Sequence, residues 1–537
     1  MALHHNVRVP VPGKTYKKKQ NDSVYIYYYI EFFRKNGKPT NKSVAIGKLD
    51  KDSEMLIPND HYYEYFDSVS ESPVRDDIVF EGTFSIGYSA VIEKAFQDLN
   101  LDQILHDNFE LSYRHIMSVA SYAIREGAVM SYIDDFMEKH YRFGSAGILT
   151  NQRVSELFAS LSENQRKGFF IDWIKHVTAN DCIAYDVTSI STYSNGIEEA
   201  EFGYNRDHDD LRQINIGMFA ATNSRLPVYF ENYNGSLTDK TNLESVLKNA
   251  KDVGIASVRL VMDGGFFDDE RLKQLSQTGH IFTVGMPSTL KTSKKLLDEH
   301  RSKIHDIRNR TRFTSNYAII IDKTVQGIKG RVLIGLNTRT QDLMMESMKK
   351  DIEKREQELR DKKIKKYDTV IKKKRYTELF EIKPDEAGGY TYALKEDAVY
   401  EISKNYGYFL VFTIDTEATA DEILYYYREK DVDEKMFYQL KDYMECNRLH
   451  THMQQTTDGK LFTLFVALIV RSYVYNKLSS YMSINHLTLE KCFRKLENVK
   501  AIKIRGQKAR LTKALTKQQN DLLSEFGIDI KKTVERL

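Results

Sequence analysis

The chain has 537 residues, enough for several domains and a sizeable core. Lys+Arg (79) nearly balance Asp+Glu (76), so the net charge of +3 excludes a bulk polycation, and nucleic-acid contact must come from local basic patches. Cys182, Cys446 and Cys492 are widely separated, which excludes a disulfide framework and a CxxC zinc site and suits a reducing cytosol.

The first 20 residues hold no apolar segment of the secretory type. They carry a basic arm, Lys14, Lys17, Lys18 and Lys19, suited to lying along DNA or to solubilising the terminus. Residues 24–33 alternate apolar and polar, Asn36-Gly37 supplies a turn, and 42–49 return, which predicts a β-hairpin. Helical patterns follow at 88–99, 111–125, 130–136, 153–161 and 163–177, a set that suits a DNA-reading module or a purely structural one.

The pattern changes at 181. An apolar run over 181–190 reads as ending in Asp186, and 213–221 and 227–233 form a hairpin around Asn223-Ser224-Arg225. A helix over 240–253, a short apolar strand at 258–262 ending in Asp263-Gly264-Gly265, a helix over 268–277 and a strand over 280–286 complete a mixed sheet with packed helices. Residues 288–405 read as an insertion. It has strands at 317–321 and 332–337, a charged helix over 341–375 with a basic tract at 362–375, and short strands at 390–394 and 399–402. The core resumes with a strand at 409–414. The longest apolar run, 461–470, is too short to span a bilayer and reads as part of a buried helix over 461–478. A second basic stretch, Lys500 to Lys517, contains no acid.

Residues 421–447 read as one amphipathic helix. Val432, Met436, Leu440, Tyr443 and Met444 make its apolar stripe. Tyr427, Lys430, Glu434 and Lys441, spaced by three, four and seven, project within about 60° of one another on a different face. Such a face suits a solvated row of ion pairs, or a polyanion held near a metal. Asp186 and Asp263 each end an apolar strand, where a carboxylate is costly unless it caps a turn or is put to use. Two such acids with a third on a later helix could hold divalent cations, one activating the attacking oxygen and one stabilising the leaving oxygen. No HExxH, GxxxxGK[ST] or GxSxG pattern occurs, so zinc hydrolase, P-loop and serine-hydrolase readings lack support.

Three stretches together resemble a DDE transposase of a bacterial insertion sequence, in the group whose core is interrupted by a β-rich insertion. They are Tyr185-Asp186-Val187-Thr188 with the following segment from Phe202 through Arg206, Asp207 and His208 to the 211–219 strand; Val261-Met262-Asp263-Gly264-Gly265-Phe266; and Tyr427-x2-Lys430-x3-Glu434-x6-Lys441, similar to the family pattern Y-x2-R-x3-E-x6-K. Lys430 departs from it, keeping the charge of the arginine but not its planar fork. The match covers roughly residues 181–470.

The resemblance implies an α/β protein with an RNase H-like mixed-sheet core in two parts, 181–287 and 406–470. The insertion at 288–405 separates them, an N-terminal β-hairpin region (1–80) and a helical, DNA-binding region (81–180) precede them, and a helical basic region (471–537) follows. It implies Asp186, Asp263 and Glu434 as catalytic metal ligands for two Mg²⁺ ions, with Mn²⁺ able to substitute. Asp431 and Asp433 compete for the third place, but on a helix both point away from the Tyr427–Lys430–Lys441 line, whereas Glu434 lies on it. Tyr427, Lys430, Lys441, Arg206 and His208 are then DNA-binding residues, DNA ends and target DNA the partners, and a homodimer on DNA in the bacterial cytoplasm the working form. The expected activity is cleavage at terminal inverted repeats and joining of 3′-OH ends to target DNA. An RNase H-like nuclease without strand transfer and an inactive DNA-binding protein are the alternatives.

Overall fold

The computed structural model describes residues 3–4, 7–20, 23–35, 37–66, 80–140, 147–177, 182–205, 209–255, 259–277, 279–313, 315–361, 366–386 and 388–537. It divides into two units, residues 1–83 with 502–510, and residues 84–501 with 511–537.

In the first unit β1 (Thr15–Gln20), β2 (Ser23–Lys35), β3 (Lys38–Leu49) and β4 (Leu56–Pro58) form an antiparallel sheet in that order, followed by α1 (Asp60–Tyr65). The expected hairpin is β2–β3; its turn residue Asn36 lies outside the described residues. Lys17, Lys18 and Lys19 are not a free arm but part of β1, paired with β2. Ile26, Ile46, Leu56 and Tyr62 make the core on one face of the sheet. The other face carries a run of aromatic rings, Tyr27–Tyr16–Tyr29–Phe32, with centroids 5.4, 4.9 and 4.8 Å apart, and Phe32 is 68% exposed.

The second unit is mixed α/β. β5 (Phe80–Ser85) runs across the boundary at residues 83 and 84, and the second unit goes on with α2 (Gly87–Asp98), α3 (Leu101–Phe109), α4 (Tyr113–Glu126), α5 (Ile133–Lys139), α6 (Asn151–Ser160) and α7 (Glu163–Val177). A meander follows, β6 (Cys182–Thr192), β7 (Arg212–Ala221) and β8 (Leu226–Asn234), then α8 (Asp239–Asp252), β9 (Arg259–Met262), α9 (Asp269–Ser276), β10 (Ile281–Met286) and α10 (Lys291–Ile304). Next come β11 (Asn316–Val325), β12 (Ile328–Asn337), α11 (Thr338–Arg360), the short α12 (Tyr367–Val370) and α13 (Lys374–Thr377), β13 (Phe380–Pro384), β14 (Tyr390–Leu394) and α14 (Glu396–Ser403). β15 (Tyr408–Thr413) leads to α15 (Ala420–Glu429), α16 (Asp431–Tyr438) and a π turn (Gln439–Tyr443). The chain closes with α17 (Gln454–Asn485), α18 (Leu489–Glu497), β16 (Lys500–Ile504), β17 (Arg510–Leu511), α19 (Lys517–Ser524) and α20 (Ile530–Glu535).

The large sheet has the order β11-β12-β15-β10-β9-β6-β7-β8. β6, β7 and β8 are antiparallel neighbours; β9 runs parallel to β6 and β10 parallel to β9. β15 is antiparallel to both β10 and β12. The strands expected inside the insertion, β11 and β12, therefore extend the main sheet. What stands apart is smaller: α11 to β14, with its own core of Leu359, Val370, Tyr376, Leu379, Phe380 and Tyr390.

Other expectations change too. Residues 399–402 lie in α14, whose first turn carries Glu396 and Asp397, favourable to a helix N-terminus. The charged helix ends at Arg360, short of 375, and Lys362, Lys363 and Lys365 of the basic tract lie outside the described residues. The basic C-terminal stretch is not helical throughout: Lys500–Ile504 alternates side chains in a strand.

The apolar run 461–470 sits in α17, a 32-residue helix long and apolar enough to cross a membrane. Its most apolar window is 78% buried within the protein, which marks a core helix. Phe462, fully buried, meets Phe109 and Phe169 at 5.1 and 5.0 Å, and Gly459 lets the α6 backbone at Phe158 approach closely. The helices expected as a separate DNA-reading module thus spend apolar surface on α17. Trp173 ties α7 to the sheet through a 2.9 Å hydrogen bond from Nε1 to the Pro227 carbonyl oxygen.

Candidate active site

Asp186 does not end its strand; it is the fifth residue of β6, between the buried Tyr185 and Val187. Asp263 follows the last residue of β9 and precedes a tight helical turn, Gly264–Phe266. Ala184 pairs with Val261 across the parallel β6–β9 ladder, so two residues on, Asp186 and Asp263 stand at the same level. Adjacent strands lie about 4.8 Å apart, and registered residues share a face. Val261 pairs in turn with Thr283, which places Gly285 of β10 at that level as well. The two expected aspartates are therefore brought together by strand register.

The third piece enters from β15. Thr419 and Glu422 form a reciprocal capping box that starts α15, with Thr419 N donating to Glu422 Oε2 at 2.8 Å and Glu422 N to Thr419 Oγ1 at 3.3 Å. Ile423 and Leu424 bury the helix against Leu333 and Val411 of the sheet. Arg259, at the start of β9, pairs with Asp415 at 2.5 Å and lies 4.4 Å from the Tyr426 ring centre, holding α15 beside that strand. Tyr427 points over β10: a side chain at Gly285 would overlap its hydroxyl, so the glycine makes room for the phenol. Burial pushes the Tyr427 pKa up.

The expected single helix is broken at Lys430. Asp433 N bonds to the Lys430 carbonyl oxygen at 3.2 Å, three residues back instead of four, a locally tightened turn. A second irregularity follows at the π turn, where Met444 N reaches the Gln439 carbonyl oxygen, five residues back. An inserted residue rotates the remainder of a helix by roughly 100°, and π turns recur at functional sites. Lys441 lies in this turn and is buried.

Lys430 Nζ donates to Asp263 Oδ1 at 2.6 Å and sits 5.1 Å from the Tyr427 ring centre. Burial alone would raise the Asp263 pKa, but the Lys430 hydrogen bond and charge and the Gly264 and Gly265 amides outweigh it and hold the carboxyl below its usual range. Burial opposes the charge on Lys430, yet Tyr427, Asp263 and Glu434 raise its pKa above the usual lysine range. Glu434 is exposed in the first turn of α16, where its charge acts on both Lys430 and Asp433. α16 itself packs on β6 and β7. Arg206, Asp207 and His208 lie outside the described residues. Beside Lys430 a cavity of about 650 Å³ opens, lined by Lys294, Asn337, Tyr406, Tyr427 and Arg428 among others.

One consequence concerns pH. The Asp263 pKa is lower in the folded chain than in the unfolded one, so its ion pair adds stability above the unfolded carboxyl value. That contribution is lost as pH falls through the lower folded value. In Lys430→Met the Asp263 carboxyl is expected to titrate at higher pH, which carbon NMR of the labelled side chain would read. An unchanged titration would show that the pair does not form in solution.

The donor set suits a hard divalent cation: it consists of carboxylates, and the ammonium of Lys430 already holds positive charge at Asp263. As they stand, no three His, Cys, Asp or Glu side chains among the described residues are gathered to hold a metal ion. Sequence reasoning weighed Asp433 for the third place and set it aside for Glu434; in the structure it is fully buried in the first turn of α16. Its signal was present as an acid inside an otherwise apolar set, Val432, Met436 and Phe437, once the helix is allowed to break.

A mixed sheet carrying two acids at one level, with a third acid on the helix that follows, is the setting in which the comparisons fall. The transposase DDE domain family matches residues 178–470, more than half of the chain, and the chain belongs to that family. It is an enzyme of the transposase type. Among solved structures it is similar to a piggyBac transposase, in a synaptic complex with hairpin DNA studied by cryo-electron microscopy, at 12% identity over 76% of each chain and a TM-score of 0.35. No curated protein matches.

Proposed function

We propose that the chain is the DNA transposase of a bacterial insertion sequence, acting in the cytoplasm as a homodimer on DNA. It binds the terminal inverted repeats of its element, hydrolyses a phosphodiester to expose a 3′-OH, and joins that end to target DNA. The observation that carries this reading is the placement of Asp186 and Asp263 at one level of adjacent parallel strands, with Lys430 and Glu434 presented at the start of α16. The strand order β8-β7-β6-β9-β10, three antiparallel strands followed by two parallel ones, supports an RNase H-like core.

Asp186, Asp263 and Glu434 would hold Mg²⁺, as two ions, with Mn²⁺ as a substitute. Bound there, the metal would polarise the scissile phosphate and make the attacking hydroxyl more acidic. Lys430 would leave Asp263 for a DNA phosphate, acting as a point charge, while the Tyr427 hydroxyl would orient the same strand. Arg206 and His208 follow as DNA contacts from their place in the family pattern. Lys441 would act from its buried position on the helix instead of at the surface. In the first unit, Lys18 lies 5.6 Å from the Tyr27 ring centre, at one end of the aromatic run whose other end is the exposed Phe32, a basic and aromatic face that supports DNA contact.

The test uses DNA carrying the sequences that flank the gene. With Mg²⁺ the chain is expected to release a 3′-OH end and join a pre-cut end to a plasmid. Cleavage without joining would reduce the function to that of a nuclease, and neither reaction with Mg²⁺ or Mn²⁺ would overturn the reading.

A further inference from the structure

Asp433 is 0% exposed, and among the described residues neither of its carboxylate oxygens has a hydrogen-bond partner. It sits in the first turn of α16, on the face that packs on β6 and β7, and its electrostatic neighbours are Asp186 and Glu434. Its surroundings push its pKa well above the usual range, through burial first and the two carboxylates second.

A buried carboxylate without a partner costs several kcal/mol, and placing it against like charge adds to that cost. Structural roles for a buried aspartate come with partners: a backbone amide at a cap, a guanidinium, an amide side chain. Asp433 has none of these among the described residues. A favourable interaction with the helix dipole would not require burial. Lys430, three residues away, is paired with Asp263. A proton relieves the charge but leaves both oxygens without partners; a cation that is not part of the chain, placed between Asp433 and Asp186, would satisfy them.

We propose that Asp433 is a ligand of a divalent metal ion, sharing it with Asp186, while Glu434 contributes from the exposed side of the same helical turn. The site thereby has four carboxylates, two of them consecutive on one helix, and the ion is of the hard, oxygen-preferring class of Mg²⁺ and Mn²⁺. Before binding, the buried acid is an uncompensated group that the metal then satisfies. This rests on the reading of the site as metal-dependent.

The full chain is tested by titration with Mn²⁺ alone, following bound Mn²⁺ by electron paramagnetic resonance and unfolding by thermal melting. Wild type is expected to bind Mn²⁺ and to melt higher as its concentration rises. Asp433→Asn is expected to melt above wild type without metal, and to bind Mn²⁺ about tenfold or more weakly. Equal Mn²⁺ affinity in wild type and Asp433→Asn, with Asp263→Asn weakened, would overturn the proposal and leave the metal-dependent reading intact. Absence of Mn²⁺ binding by wild type would overturn both. A second measurement on wild type needs no variant: Fe²⁺ with peroxide and ascorbate should cut the backbone near residues 186 and 433. Cuts near 186 without cuts near 433 would also overturn the proposal.

Discussion

Asp263→Asn is expected to slow cleavage of element-end DNA by about a hundredfold or more, measured under single turnover with Mg²⁺. Asparagine keeps the shape and the turn before Gly264 but removes the charge that Lys430 pairs with and that a metal would need. The Asp263 side chain is 55% exposed, so the fold has little to lose, and the melting temperature should stay within a few degrees of wild type. Lys430, released from its 2.6 Å partner, is then free to bind DNA, so the affinity for end DNA should hold or rise while the rate falls. That split separates a ligand from a residue that merely supports the fold. A rate within threefold of wild type would remove Asp263 from the site.

The largest loss of stability is expected from Arg471→Ala, about 3–5 kcal/mol by equilibrium unfolding in urea. Arg471 is 1% exposed on α17. It donates from Nη2 to Glu490 Oε1 at 2.8 Å and from Nη1 to the Ile124 carbonyl oxygen at 3.0 Å. Its guanidinium also lies 4.8 Å from the Tyr443 ring centre and 5.8 Å from that of Phe493. One side chain thus joins α4, α17, α18 and the end of the π turn that carries Lys441. Truncation leaves Glu490 without its cation and opens a void larger than a methyl group. Arg471→Met, which fills most of the volume, should lose less. A loss below about 1 kcal/mol for alanine would mean that water replaces the guanidinium at little cost.

Much of the core was legible because local chemistry coincides with it. The short apolar strand ending in Asp263-Gly264-Gly265 announces a strand followed by a turn, and the β7–β8 hairpin has its turn residues at Asn223-Ser224-Arg225. The mutual level of Asp186 and Asp263 was not legible, since register between strands separated by a helix is a tertiary property. Nor was the joining of β11 and β12 to β15: strand patterns show that a strand forms, not which edge it takes. The break at Lys430 has no proline or glycine to mark it, so helical periodicity carried straight through 421–447. That continuity turned Asp433 away from the acids and Lys441 toward them. After the tightened turn at Lys430, Asp433 is buried in α16, which packs on β6 and β7, and Lys441 is buried in the π turn. The strand forecast at 399–402 failed for a simpler reason: the β-forming Val399 and Tyr400 outweighed the acidic helix start at Glu396 and Asp397.

Asp186, Asp263 and Glu434 acting as one cation-binding centre on DNA is most directly tested by anomalous diffraction from the full chain crystallised with element-end DNA and Mn²⁺. The expected result is an anomalous peak bounded by Asp186 and Asp263, with Glu434 facing it and Lys430 moved from Asp263 onto a DNA phosphate. A complex with DNA and Mn²⁺ in which Lys430 still holds Asp263 and no peak lies near the three acids would contradict it.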